Sequence, residues 1–220
     1  MVPRSKADRL VLTERLVEAG LTLIREAETF GKTAHARAIG VRNGLLVVLL
    51  ALYPIRVKNF AALTIANTFV NIDGRWWIHI PSDDTKSKRV DERQVAEIIT
   101  EAVNRYINTH RPVLCGGDAK QTALWISSTT GKRLTTKNLG TLISKITRET
   151  MGVDVSPHLF RTAGASTAAI YGGKHPHLAS AVLNHRDPRV TEYYNRAMSL
   201  TAGEDYGVIA QLYRQRTSGI

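Results

Sequence analysis

Apolar positions recur with a helical period along most of the chain, and with a strand period in one segment only. Leu10, Leu12, Leu16, Val17 and Leu21 fall at mixed three- and four-residue spacing, which predicts a helix over 9–28. Thr33 can cap a second helix that runs through the apolar stretch "LLVVLLALYPI" (45–55) and stops before Pro54. A short helix is expected from Val57 to Leu63. The pattern then changes. "TIANTFVNIDGRWWIHIPSDDTKSKRV" (64–90) is rich in β-branched and aromatic residues and is broken at Asp73-Gly74 and at Ser82-Asp83-Asp84, so it predicts three short antiparallel strands. The helical period returns at Asp91 with Val95, Ile98, Ile99, Ala102 and Tyr106, and should end before Pro112. Residues 113–134 are loop-rich. Thr135 or Thr136 can cap a helix ending near Gly152, and Ser156-Pro157 has the form of a cap followed by proline in the first turn, opening a helix that ends at Gly172-Gly173. A helix at 176–184 and another from Asp187-Pro188 complete the expected elements. The fold class is mainly α with a small three-stranded antiparallel sheet (α+β), in one domain.

Composition narrows the setting. With 43% hydrophobic and 22% charged residues, the 220-residue chain reads as a soluble globular protein. The eleven-residue apolar run is too short to span a bilayer and reads as a buried core helix. The N-terminus lacks the apolar segment of a secretory signal, and Cys115 is the single cysteine, so an intracellular protein without disulfides is expected. Thirty Lys and Arg against nineteen Asp and Glu leave a net charge of +11, which favours a polyanionic partner. The basic residues are spread over the chain rather than clustered beside an apolar anchor, which favours nucleic acid over a membrane surface.

The candidate chemistry starts from "LNHRDPRVTEYYNRA" (183–197), which sets Tyr193 and Tyr194 side by side. Val190, Tyr193, Tyr194 and Ala197 form one helical stripe, and on that pattern alone both tyrosines are packing residues. A phenol, with a pKa of about 10, attacks only where cations and a proton acceptor stabilise its anion. "SPHLFRTAGAS" supplies His158 and Arg161 three apart on one helix face, and His185 ends the helix before the tyrosines. Taken singly, each has a plain structural reading. "KHPH" (174–177) has no nearby carboxylate or cysteine to complete a metal site, and "CGGD" is a loop without phosphate-binding context. Trp76 and Trp77 alternate across a strand, so one of them should be core.

Jointly, in this order and spacing, the residues resemble the catalytic domain of the tyrosine recombinase (phage integrase) family. "HLFR" carries the family's histidine and arginine, "LNH" places His185 twenty-four residues after Arg161, and Tyr194 lies nine beyond His185. The resemblance selects Tyr194 and leaves Tyr193 as the packing residue. "LLALYPIRVKNFAAL" fits the family's first arginine at Arg56, and "DDTKSKRV" offers Lys86, favoured over Lys88, for its hairpin lysine. Two departures are Asn59, where an acidic residue is usual, and Asn184, where glycine is usual before the second histidine.

The resemblance implies a site-specific recombinase or integrase that cuts and rejoins double-stranded DNA through a 3′-phosphotyrosine link, with no cofactor or metal. Tyr194 would be the nucleophile, Arg56 and Arg161 would hold the phosphate, His158 would take the tyrosine proton, Lys86 would protonate the leaving oxygen and His185 would hydrogen-bond the phosphate. It also implies a tetramer on DNA, accessory DNA-bending proteins as potential partners, and a cytoplasmic, nucleoid-associated enzyme of a phage, mobile element or chromosome. Residues 1–32 are expected to be an extension and helix packed on the domain, 33–200 the catalytic domain, and 201–220 a tail or helix exchanged between protomers. The segment ahead of the match is too short for the family's N-terminal DNA-binding domain, so a fragment, or a member lacking that half, is expected. A type IB topoisomerase-like relaxing enzyme and a catalytically silent DNA-binding regulator on the same scaffold are the alternatives.

Overall fold

The computed structural model describes residues 11–171 of the chain, with side chains as far as Ala168. The helices expected at 176–184 and after Asp187 lie outside the described residues, as do His185, Tyr193 and Tyr194. The chain divides into two compact units after Gly164, and the elements below belong to the first, apart from the end of the last helix.

A long helix, α1 (Thr13–Phe30), is followed by α2 (Ala34–Leu52), whose N-terminus is capped by Thr33 accepting from the Ala36 amide at 3.0 Å. From Gly44 to Ala51 every residue of α2 is buried. By length and apolarity alone this helix could cross a membrane. Here it is the central rod of the core, with α1 along one side and later helices along others.

The α1–α2 crossing is close because both helices carry glycine where they meet. A Cβ at Gly44 would lie 2.6 Å from the Gly20 carbonyl oxygen and 2.6 Å from Ile24, and one at Gly20 would lie 2.8 Å from the Val48 amide. Only backbone fits there.

Next come α3 (Val57–Ala62) and the sheet, β1 (Phe69–Ile72), β2 (Arg75–Ile80) and β3 (Asp91–Gln94), antiparallel in that order. The β1–β2 hairpin turns at Asp73-Gly74, both at positive φ, as expected. Trp76, Ile78 and Ile80 face the core. Trp76 stacks on Phe69 at 5.1 Å and donates its indole N–H to Asn104 at 2.7 Å, so it is the core member of the tryptophan pair.

The third strand departs from the sequence expectation. It occupies Asp91–Gln94, where a helix was expected to begin, and the helix α4 starts only at Glu97. "DERQ" carries no apolar residue because β3 is an edge strand. Its pairing to β2 comes from the main chain, supported by Glu92 accepting from His79 across the strands at 2.8 Å, while a two-pronged Arg93–Asp91 pair lies along β3 itself. The end of the next helix also differs. α4 (Glu97–Arg105) passes through a π turn (Tyr106–His110) into α5 (Arg111–Leu114), so the helical path continues past Pro112. Proline is tolerated there because it falls in a first turn, where its missing N–H is not needed.

Residues 121–126 lack regular structure yet are bonded along their length. Arg111 donates to the carbonyls of Ala123 (2.9 Å) and Gln121, Tyr106 to that of Leu124 (2.8 Å), and Arg42 to that of Ile126 (2.8 Å). Arg42 and Arg111 are both buried with carbonyl oxygens as acceptors, and burial lowers the Arg42 pKa. Trp125, wholly buried, donates to the Phe60 carbonyl at 2.9 Å and packs its ring 5.0 Å from that of Phe60. This clamps α3 onto the core. Finally, α6 (Thr136–Met151), capped by Thr135 and closed by Gly152 at φ 73°, leads to α7 (Pro157–Tyr171).

The tight helix crossing predicts opposite outcomes for two glycines. Gly44→Ala gains about 1 kcal/mol of helix propensity but forces overpacking against backbone, so a net loss of about 1–3 kcal/mol is expected. A Cβ at Gly140 in α6 would meet only Pro157 at 3.9 Å, so Gly140→Ala should be stabilising by about 0.5–1 kcal/mol. Urea midpoints of the two variants against the parent test both signs.

Candidate active site

The C-terminal end of α2 is where the predicted residues come together. Tyr53 to Arg56 form an extended junction between α2 and α3, and Arg56 occupies the N-cap position of α3. Two distant elements grip this junction. The Tyr53 hydroxyl accepts the Ala96 amide at 2.7 Å, tying it to the start of α4. Burial raises the Tyr53 pKa, so the phenol stays protonated there. Arg161, on the second turn of α7, donates through Nη1 to the Pro54 carbonyl. That bond joins residues 107 positions apart and sets the α7 arginine beside the segment that carries Arg56. Arg56 itself is half-buried, and its guanidinium has no hydrogen bond or ion pair among the described residues.

His158 lies one turn before Arg161 and is exposed. It shares the rim of an open cleft of about 710 Å³ with Val57, the neighbour of Arg56. The other wall of the cleft is α6, through Lys137, Thr141, Ser144, Lys145 and Arg148. Arg148 is paired with Asp154 at 2.6 Å and Lys145 loosely with Glu149 at 3.7 Å, whereas Lys137 has no such partner among the described residues. The sequence reading named no residue on α6. Its basic and hydroxyl residues at 137, 141, 144, 145 and 148 do lie at helical spacing, a signal that could have marked a polar face.

The two lysine candidates sit in the β2–β3 connection and are held differently. Thr85 is buried, and its Oγ1 lies within hydrogen-bond distance of the carbonyls of Arg89 (2.7 Å) and Ser82 (3.0 Å), which share its single proton, while it accepts the Arg89 amide at 3.1 Å. Ser87, also buried, donates to Thr85 Oγ1 at 3.4 Å. Lys86 therefore projects outward between two anchored neighbours and makes no hydrogen bond or ion pair with the described residues. Lys88 stands at φ 54° with its ammonium 3.9 Å from Asp83, and so belongs to the closure of the turn. Asn59, one turn along α3 from Arg56, donates its amide to the Asp84 carbonyl at 3.1 Å and links α3 to this connection.

Among the described residues, Arg161 is bonded to the junction that ends in Arg56, the loop bearing Lys86 is tied to α3 through Asn59, and His158 borders the same cleft as Val57. His185 and Tyr194, the remaining predicted members, lie outside the described residues. Among the described residues no group of three or more His, Cys, Asp or Glu is arranged to hold a metal ion.

The Thr85 clip generates a direct test. Thr85→Val keeps the side-chain shape and removes the hydroxyl's single donated proton and its acceptance from the Arg89 amide and the Ser87 hydroxyl, a hydrogen bond of this kind being worth about 1 kcal/mol net. The Arg89 amide should then exchange with solvent at least about tenfold faster, with β2 amides unchanged, as measured by hydrogen exchange and NMR.

The described fold is shared with solved recombinases. The XerH site-specific recombinase bound to palindromic difH substrate, in a post-cleavage complex, superposes with a TM-score of 0.62 at 17% identity, over 95% of this chain and 56% of that one. XerH bound to difH in a pre-cleavage complex gives 0.60 at 18%, over 88% and 52% respectively. XerA recombinase gives 0.55 at 19%, over 89% and 59%. At these identities the likeness is one of fold, and the chain spans a little over half the length of these proteins. No curated protein sequence matches it significantly. The model of the phage integrase family matches residues 22–199, most of the sequence, and the chain belongs to that family.

Proposed function

We propose that the chain is the catalytic part of a site-specific DNA recombinase that breaks and rejoins DNA through a phosphotyrosine intermediate. The observation that carries this reading is the Arg161 bond to the Pro54 carbonyl, which draws the second predicted arginine to the segment bearing the first. Two guanidinium groups from separate helices suit a phosphodiester, whose non-bridging oxygens accept planar, paired donors.

In this reading the Tyr194 phenol oxygen attacks phosphorus, the P–O5′ bond breaks and a Tyr–O–P bond replaces it. The tyrosine proton passes to His158, and Lys86 supplies a proton to the departing 5′-oxygen. A 5′-hydroxyl from another strand later reverses the step. Arg56 and Arg161 stabilise the charge that builds on the phosphate, and His185 hydrogen-bonds it. An arginine so placed in phosphoryl transfer is worth about 10³–10⁵ in rate, or roughly 4–7 kcal/mol. The energy of the broken bond is kept in the phosphotyrosine link.

The duplex would run over the α6 face, where Lys137 and Lys145 border the same cleft as His158. Two XerH structures contain difH DNA, before and after cleavage, on the same fold. Assembly of four protomers on two sites is part of this proposal.

The first test is an SDS-resistant adduct assay on a pool of nicked duplexes, with the parent, Tyr193→Phe and Tyr194→Phe. An adduct is expected with the parent and Tyr193→Phe and none with Tyr194→Phe. Loss confined to Tyr193→Phe would move the nucleophile by one residue, and DNA binding without any adduct would make the chain a regulator. A second measurement concerns the α6 face. Lys137→Gln should weaken duplex binding and reduce the slope of log K against log salt by about 1, as expected for one lost phosphate contact.

A further inference from the structure

We infer that Asn59 is a positioning residue for the general acid, and that it acts by fixing the distance between the arginine helix and the lysine loop. The inference rests on the reading above, in which Lys86 protonates the leaving oxygen.

The geometry has three parts. Arg56 and Asn59 are three residues apart at the start of α3, hence on one side of that helix. Asn59 Nδ2 donates to the Asp84 carbonyl at 3.1 Å, and Asp84 lies two residues before Lys86. Between them, Thr85 locks the loop internally through its bonds to Ser82 and Arg89. The clip therefore sets the shape of the loop, while the Asn59 bond sets its place relative to Arg56. Lys86 has a long flexible side chain, so the anchorage of its backbone decides where its ammonium is concentrated.

The chemistry at position 59 is specific. A carbonyl oxygen is only an acceptor, and an ionised carboxylate is only an acceptor, so aspartate in this place would set lone pairs against lone pairs. An amide has the N–H that the contact needs. Residue 59 also falls in the first turn of α3, where an acidic side chain would favour the helix dipole. This chain forgoes that gain and takes the cross-element bond.

The test uses duplexes with an ordinary phosphodiester or a 5′-bridging phosphorothiolate at the scissile position. In the second, the P–S bond breaks and the thiolate departs without needing a proton, so a fault in general acid delivery is bypassed. Single-turnover cleavage would be compared for the parent, Asn59→Ala, Asn59→Asp, Lys86→Ala and Arg56→Ala. On the ordinary duplex Asn59→Ala and Asn59→Asp should each be slower than the parent by about 10- to 100-fold. On the phosphorothiolate both should recover to within about threefold of it, as should Lys86→Ala, while Arg56→Ala stays impaired, because phosphate charge must still be stabilised.

Parent-like cleavage by Asn59→Ala on both duplexes overturns the inference. So does an equal deficit on both, which would mark a general structural role. If Lys86→Ala is not recovered, Lys86 is not the proton donor and the inference falls while the nucleophile assignment stands. No adduct from the parent on either duplex removes the recombinase reading itself.

Discussion

The burial of α2 is the constraint on which the rest of the structure depends. A helix that is apolar all round must be covered all round, and at the Gly20–Gly44 crossing the cover comes so close that no side chain fits between the backbones. That contact fixes α1 on α2, and α2 in turn fixes its own C-terminal end. The junction at Tyr53–Arg56 leaves the core there, held from two other directions by Ala96 and Arg161. Arg56, the first of the predicted arginines, is thus mounted on a short extended segment whose position is overdetermined.

Two cations near that segment, Arg56 and Lys86, stand apart from the ion pairs of the described region. Several acids in the described region are paired away from that segment: Asp91 with Arg93, Asp154 with Arg148, Glu92 with His79 and Glu28 with Arg105. The buried Arg111 donates to backbone carbonyls and the buried Arg42 to the Ile126 carbonyl and the Asn43 side-chain oxygen, which holds the 121–126 strip without drawing a carboxylate inward. Arg56 and Lys86 are left without acidic partners among the described residues. In the proposed reaction, cations already near the phosphate would need little rearrangement as charge builds on it, an effective form of electrostatic stabilisation. The +11 net charge then reads as a long-range attraction toward a polyanion, laid over a site whose local cations are individually positioned.

Sequence alone determined the helical framework, because helix periodicity, caps and breakers are local. Thr33, Thr135, Gly152 and Asp73-Gly74 each act where the sequence places them. The order and spacing of Arg56, Lys86, His158, Arg161, His185 and Tyr194 together pointed to a family that the match over 22–199 bears out. The three strands were legible but the place of the third was hidden, since "DERQ" on a sheet edge bonds through its backbone and shows neither an apolar face nor a helical break. The π turn that carries the chain past Pro112 was hidden for a related reason: it is stabilised by packing of Tyr106 against the 121–126 strip, far away in sequence. Only the tertiary structure decided that Arg161 reaches Pro54, that Lys86 projects from a locked loop while Lys88 helps close it, and that the asparagine replacing an acidic residue donates to the Asp84 carbonyl. Those contacts join residues tens of positions apart, and nothing in a local pattern encodes a hydrogen bond whose acceptor is a backbone carbonyl, the same group at every position of the chain.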